Sequence, residues 1–296
     1  METVPAKHLL HRNRSTEWFG TDHTMNLYRG CCHGCLYCDS RSDCYRIEGF
    51  DTVRVKADAL RIFRDDLARK ARPAFISMGS MSDPYNPFEK DLELTRHALE
   101  LMDAYSCGAA IATKSPLITR DMDILASIQA HSPVICKLTV TTADDGLAAK
   151  LEPHAPPPSR RLAALGELSG AGLFAGVLLM PVLPFLEDSE EGVLAVVEGA
   201  ARAGARFVYP AFGVTMRQGQ REYFLDGLER AFPGQGLKER YLRRFGDRYW
   251  CASPRAGKLW QAFTAACQGS GILYDMKSII RAASLGYGDR QLTFFD

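Results

Sequence analysis

From residue 53 onward, apolar runs of five to eight residues alternate with longer segments whose apolar positions recur at helical spacing. "PAFISMG" (73–79), "CGAAIATKS" (107–115), "VICKLTVTT" (134–142), "LFAGVLLMPVLP" (173–184) and "RFVYPAFG" (206–213) read as buried strands. The fourth of them runs on into a proline-broken loop. Between them, "EKDLELTRHALELMDAY" (89–105) reads as a helix, and "TRDMDILASIQA" (119–130) as one opened by a Thr119 cap. "SRRLAALGELSGAG" (159–172) is a helix with a glycine stop, and "SEEGVLAVVEGAARAGA" (189–205) is one that starts on Ser189. With a further strand at about 24–29 the chain holds six βα units, which implies right-handed crossovers and a parallel sheet. No G-x-G-x-x-G turn accompanies them. The expected fold is therefore α/β, a partial (β/α)6 barrel of the TIM type, with its chemistry at the carboxyl ends of the strands. The expected organisation is an N-terminal segment (1–20), a core (21–213) and a C-terminal helical extension (214–296) packed on the core.

Composition adds little but excludes much. Hydrophobic content of 46% with 24% charge is that of a globular protein, and a net charge of +1 offers no global attraction to nucleic acid or membrane. Residues 217–248 carry eight Arg or Lys against five acids, which reads as a solvated helical face. No run approaches the roughly 18 apolar residues of a membrane helix. The start of the chain lacks the apolar stretch of a secretory signal, so the expected setting is reducing and cytoplasmic.

The cysteines change the picture. Four of the nine fall within "NLYRGCCHGCLYC" (26–38), directly after the first strand. Cys31, Cys32, Cys35 and Cys38 are open to three readings. They are small buried residues, or they hold zinc with Cys44 completing a site, or three of them hold an iron–sulfur cluster. In the last reading the C-x-x-x-C-x-x-C spacing of Cys31, Cys35 and Cys38 supplies three thiolates, with Gly34 easing the turn. A fourth iron would then be open to a chelating small molecule.

That spacing, with Tyr37 before the last cysteine, resembles the radical S-adenosylmethionine enzymes. "NLYRGCCHGCLYC", "GSMSDPYNPFEKDLELTR", "ATKSPLITRD", "LEPHAPPPSRRLAAL" and "MPVLPFLED", in this order over about residues 5–213, are similar to the spore photoproduct lyase-related branch of that superfamily. The tail from 214 resembles one bacterial subgroup of it. The resemblance implies a 4Fe–4S cluster on Cys31, Cys35 and Cys38, with Cys32 a spectator. It also implies S-adenosylmethionine as the second cofactor, cleaved reductively to a 5′-deoxyadenosyl radical that abstracts hydrogen from a substrate. Tyr37 would pack by the cluster and adenine, and Ser82 would meet the amino group. Lys114 would reach the carboxylate, and Thr139 would lie near the ribose. A lysine ending an otherwise apolar strand independently calls for an anionic partner.

One position departs from the pattern. Ser80 stands where the lyases carry a cysteine that returns a hydrogen atom to the product, and a serine O–H bond is too strong for that task. The expected substrate is thus unassigned, whether small molecule, peptide or nucleic acid, and a DNA photolesion lyase is the alternative within the enzyme class. A zinc-bearing nucleic-acid-binding module is the alternative outside it. The expected partner is an external one-electron donor such as flavodoxin or ferredoxin, and no membrane. Cys44, Cys251 and Cys267 read as structural, and Arg217 and Tyr223 as substrate contacts.

Overall fold

The structure, a computed structural model, describes residues 2–287. Six parallel strands form its centre: β1 (His23–Met25), β2 (Phe75–Met78), β3 (Gly108–Thr113), β4 (Val134–Thr139), β5 (Ala175–Leu179) and β6 (Phe207–Pro210), each hydrogen-bonded to the next. His11–Arg12 adds an antiparallel edge outside β1. Helices α1 (Ala59–Ala68), α2 (Leu94–Ala104), α3 (Met122–Gln129), α4 (Asp145–Leu151), α5 (Pro158–Gly170) and α6 (Glu190–Arg202) lie in the crossovers. The partial barrel expected from the alternation is the observed fold.

The strands read as unbroken apolar runs because both of their faces are covered. Ala109, Ile111, Val134, Cys136, Leu138, Val177 and Val208 face the helices in the main core. The alternate positions Phe75, Ala110, Ile135, Leu178 and Phe207 pack inward with Phe19. Beyond β6 the chain forms α7 (Gln220–Ala231), α8 (Leu237–Phe245), α9 (Ala256–Gly269) and α10 (Met276–Ser284). Leu259, Phe263 and Cys267 of α9 join the main core, whereas Ile279 and Ala283 of α10 enter the inward cluster beside Phe19. Between these two helices Leu273 makes a parallel bridge to Phe207, which continues the sheet by one position past β6.

Several local expectations shift. The helix expected over 89–105 breaks at Glu93 (φ 51°), leaving a single turn, Glu89–Leu92, ahead of α2. Glu89 is fully buried there, and its carboxylate accepts from Tyr28 Oη and, at 2.9 Å, from Thr95 N in the first turn of α2. The Thr119 cap is not used. Ser115 accepts from Leu117 N at 3.3 Å to open a 3₁₀ turn over Pro116–Asp121, and α3 starts after it. Ser189 caps α6 as expected, accepting from Gly192 N at 3.0 Å. The strand expected at 24–29 divides: Tyr28–Arg29 leaves the main sheet and pairs antiparallel with Arg54–Lys56. The segment expected to be helical from 214 also contributes to a two-stranded ribbon, Gly213–Thr215 against Trp250–Ala252. Residues 288–296 of that segment lie outside the described residues.

Gly79 ends β2 at φ +90°, and a Cβ there would overlap the Ala112 carbonyl oxygen of β3. Both the dihedral and the contact reject a side chain. Gly79→Ala should therefore cost at least about 2 kcal/mol, read as a lower urea midpoint at unchanged m-value.

Candidate cofactor site

The cysteine loop leaves β1 and is fastened to two distant segments by its backbone. Cys31 N donates to Phe50 O (2.8 Å), Leu36 N to Leu151 O (2.9 Å), and His154 N to His33 O (3.1 Å). Gly34 takes φ +68°, and a Cβ on it would press on Pro153 and His154 at about 3.0 Å, so the tight turn needs glycine. These bonds hold the loop over the carboxyl ends of β2, β3 and β4.

Cys31, Cys35, Cys38, Tyr37, Ser82, Lys114 and Thr139 all line one cleft, open to solvent, whose cavity is about 110 Å³. Cys32 is not among the lining residues and packs against the main core instead. The remaining cysteines are dispersed: Cys107, Cys136 and Cys267 are buried in the main core and Cys251 in a second one, while Cys44 is exposed. Among the described residues no three His, Cys, Asp or Glu side chains are grouped so as to hold a single metal ion.

Burial sets the charge state of the thiols. It pushes Cys31 up to about 12, helped by the nearby Asp83 carboxylate. Cys35 and Cys38 are raised by the same burial, and Lys114 opposes the shift at both. Burial also acts to lower the Lys114 amine, but Cys35 and Glu152 more than offset it, so the ammonium is favoured. Its Nζ lies 3.9 Å from Glu152 Oε1 and 5.5 Å from the centre of the Tyr37 ring. The thiols thus stay protonated until a metal displaces their protons, and a fixed cation waits beside them.

Four residues that the sequence reading did not assign complete the site. Glu152, buried, accepts from Tyr37 Oη and pairs with Arg161, whose side chain is only 1% exposed. Burial would raise the Glu152 carboxyl, yet Lys114 and Arg161 hold it below the ordinary glutamate value. Arg161 also donates from Nη1 to Thr139 O (3.0 Å) and from Nε to Pro156 O (2.7 Å), tying the end of β4 to the loop before α5. Asp83 accepts from Thr113 Oγ1 (2.6 Å), Lys114 N (2.8 Å) and Tyr85 N (2.9 Å), clamping the loop after β2 to the end of β3. His33 Nδ1 stands 3.5 Å from the same carboxylate. Arg161 carried a signal: with Ala164, Leu165 and Leu168 it completes an i, i+3, i+4, i+7 stripe on the buried face of α5. An arginine in such a stripe has an interior partner.

Ser82 Oγ donates to Tyr28 O at 3.2 Å, and Ser80 lines the cleft with its hydroxyl 3.4 Å from Thr24 Oγ1. Arg217 and Tyr223, expected to contact substrate, do not line the cleft. Arg217 donates to Asp39 Oδ1 (3.1 Å) and Tyr249 Oη (3.0 Å), and the Tyr223 ring lies 3.8 Å under the Arg41 guanidinium. Both brace the turn that follows Cys38.

Known proteins similar to this chain include relatives by sequence and neighbours by fold. An uncharacterized protein of Mycobacterium tuberculosis is 32% identical over 231 residues, 76% of this chain and 68% of the relative. Another, from Methanocaldococcus jannaschii, is 32% identical over 173 residues, 58% of this chain and 64% of that one. Among solved structures, spore photoproduct lyase in complex with a dinucleoside spore photoproduct superposes with a TM-score of 0.68 at 15% identity, over 92% of this chain and 81% of the lyase. The methyltransferase TsrM of Kitasatospora setae, with cobalamin and a [4Fe–4S] cluster bound, gives 0.55 at 10% identity, over 88% and 60%. At such identities these two speak for the fold alone. Among the described residues no helix is long and apolar enough to cross a membrane. The profile of the radical SAM superfamily matches residues 25–197, the stretch from the end of β1 through most of α6, and this displaces the zinc module as a reading. The chain belongs to the radical SAM superfamily and is an enzyme that works with a 4Fe–4S cluster and S-adenosylmethionine.

Proposed function

We propose that Cys31, Cys35 and Cys38 hold the cluster and that Lys114, Tyr37, Ser82 and Thr139 surround the S-adenosylmethionine. The observation that carries this reading is three thiols and one half-buried ammonium facing a single cleft. The donor set fits the group: a cubane takes four ligands, and three of the nine cysteines line this space. Together the two cofactors supply a 5′-deoxyadenosyl radical able to abstract hydrogen from a carbon centre.

The chain's own residues bind, orient and shield. Lys114 offers its ammonium to a carboxylate, as a charge-assisted donor. Glu152 and Arg161 fix the height of Tyr37 and Thr139, so the walls of the cleft are set before any ligand arrives. Ser80 offers a hydroxyl where the lyases have a thiol, which speaks for a substrate other than the thymine photolesion. Nine free thiols suit a reducing cytoplasm, and the electron then comes from an external donor of the flavodoxin or ferredoxin class.

Anaerobic reconstitution with iron and sulfide, followed by S-adenosylmethionine and a chemical reductant, tests the reading through formation of 5′-deoxyadenosine. Lys114→Met in the same preparation should keep its iron but bind S-adenosylmethionine about tenfold to a hundredfold more weakly, the worth of one charge-assisted hydrogen bond. An unchanged Kd would remove Lys114 from the cofactor site.

A further inference from the structure

The ribbon of Gly213–Thr215 and Trp250–Ala252 is fastened to the cysteine loop from both of its faces. Its register pairs Val214 with Cys251 and Thr215 with Trp250, so each pair shares a face and the two pairs point opposite ways. Val214 and Cys251 are buried in the apolar core that also contains Cys35, Leu36 and Tyr37. The other face reaches the turn after Cys38. There Thr215 Oγ1 donates to Asp39 Oδ1 at 3.0 Å, and Arg217 Nε donates to the same oxygen at 3.1 Å.

What this corner turns to solvent is aromatic and basic. Trp250 is 45% exposed, and Tyr249 just before it is 51% exposed. Tyr249 Oη accepts from Arg217 Nη2 at 3.0 Å, and its ring centre lies 5.0 Å from that guanidinium. Arg221 donates to Gly246 O and, at 2.7 Å, to Arg248 O, which ties the ribbon to the end of α8. Arg243 and Arg244 stand exposed in the last turn of that helix, and Arg248 is exposed beside Tyr249. Over 243–250 together with Arg217 and Arg221, five guanidiniums stand against the one carboxylate of Asp247. Exposed Trp, Tyr and Arg side by side are the composition of a protein interface.

We propose that this face docks the one-electron carrier, a small acidic protein whose carboxylates meet the arginines and whose redox group faces the ribbon. This rests on the cofactor site as proposed above and names the surface through which its electron enters. The carrier hands over one electron and leaves oxidised by one. Opposite charge on the two partners speeds their encounter and fixes their orientation. Arg217, Tyr249 and Trp250 do not line the cleft but lead to the turn after Cys38. The face therefore suits a partner that serves the cluster from behind, and not a substrate, which must enter the cleft.

The test uses full-length protein carrying its cluster, with an oxidised flavodoxin and a [2Fe–2S] ferredoxin, both acidic, as separate probes in calorimetric titrations at low ionic strength. At least one should bind the wild type, and more weakly as salt is added. Arg244→Glu combined with Arg248→Glu should weaken that binding about tenfold or more, through like charges brought together. The variant should also be reduced more slowly by the reduced carrier, yet keep its iron content and its rate of reduction by dithionite, which needs no docking. Arg61→Glu combined with Arg64→Glu makes the same change of net charge at two exposed positions of α1 and should leave binding within about twofold. Failure of both carriers to bind wild type, unchanged binding by the Arg244 and Arg248 variant, or an equal loss in the α1 control overturns the proposal. A labelled oligothymidylate that binds wild type and is lost in the variant, while carrier binding persists, assigns the face to single-stranded nucleic acid instead. A wild type that holds no cluster after reconstitution overturns the cofactor site, whatever the carriers do.

Discussion

Cys35→Ala should leave the reconstituted protein without its four-iron cluster and without measurable 5′-deoxyadenosine. Wild type should hold about four irons per chain, the content of one cubane. Cys35 is the most enclosed of the three cleft thiols, and burial raises it against the opposing pull of Lys114. An alanine there removes one of the three thiolates that the cluster would need. Two ligands, Cys31 and Cys38, would remain. Cys32→Ala is the matched control, since that side chain packs on the main core outside the cleft. It should keep full iron content and lose only the stability of a small truncated side chain, about 1 kcal/mol. Iron content and the visible absorption of the cluster decide between the two before any turnover is measured. Retention of both by Cys35→Ala would sink the assignment of the loop.

What the sequence disclosed about this site was local. The cysteine spacing lies within one loop, and Lys114 stands out because it closes an apolar strand. β3, β4 and β5 were readable for a related reason: covered on both faces, they carry apolar runs that no turn interrupts. The pattern failed where polar residues are buried. Glu89 looks like an exposed helix residue, but its carboxylate goes to Tyr28 and Thr95, and the helix breaks behind it. The ribbon of Gly213–Thr215 with Trp250–Ala252 has strands too short for a period, and its partners are far apart in the chain. Glu152 was hidden in the same way as Glu89, and Arg161 showed only as a cation within an apolar helical stripe. Their pairing joins the loop after α4 to α5, and hydropathy has no sign for a charge that is satisfied inside.

That pair yields the second large effect. Arg161→Leu should destabilise the protein by about 3–5 kcal/mol, because it leaves the Glu152 carboxylate buried without its main partner. Among the described residues Lys114, at 3.9 Å, is the one other cation paired with it. The Thr139 and Pro156 carbonyls would lose their donors as well. Glu152→Gln should cost less, since the amide oxygen can still accept from Tyr37 while the charge is gone. The two variants also differ in acid. The Glu152 carboxyl is held below its ordinary value of 4.5 in the folded chain. Its contribution to stability is therefore complete above that value and drains away as pH falls through the lower folded pKa. Wild type should accordingly lose stability more steeply than Glu152→Gln between about pH 5 and pH 3, measured by urea unfolding at each pH. Parallel pH curves for the two proteins would mean that Glu152 is not the charge on which Arg161 depends.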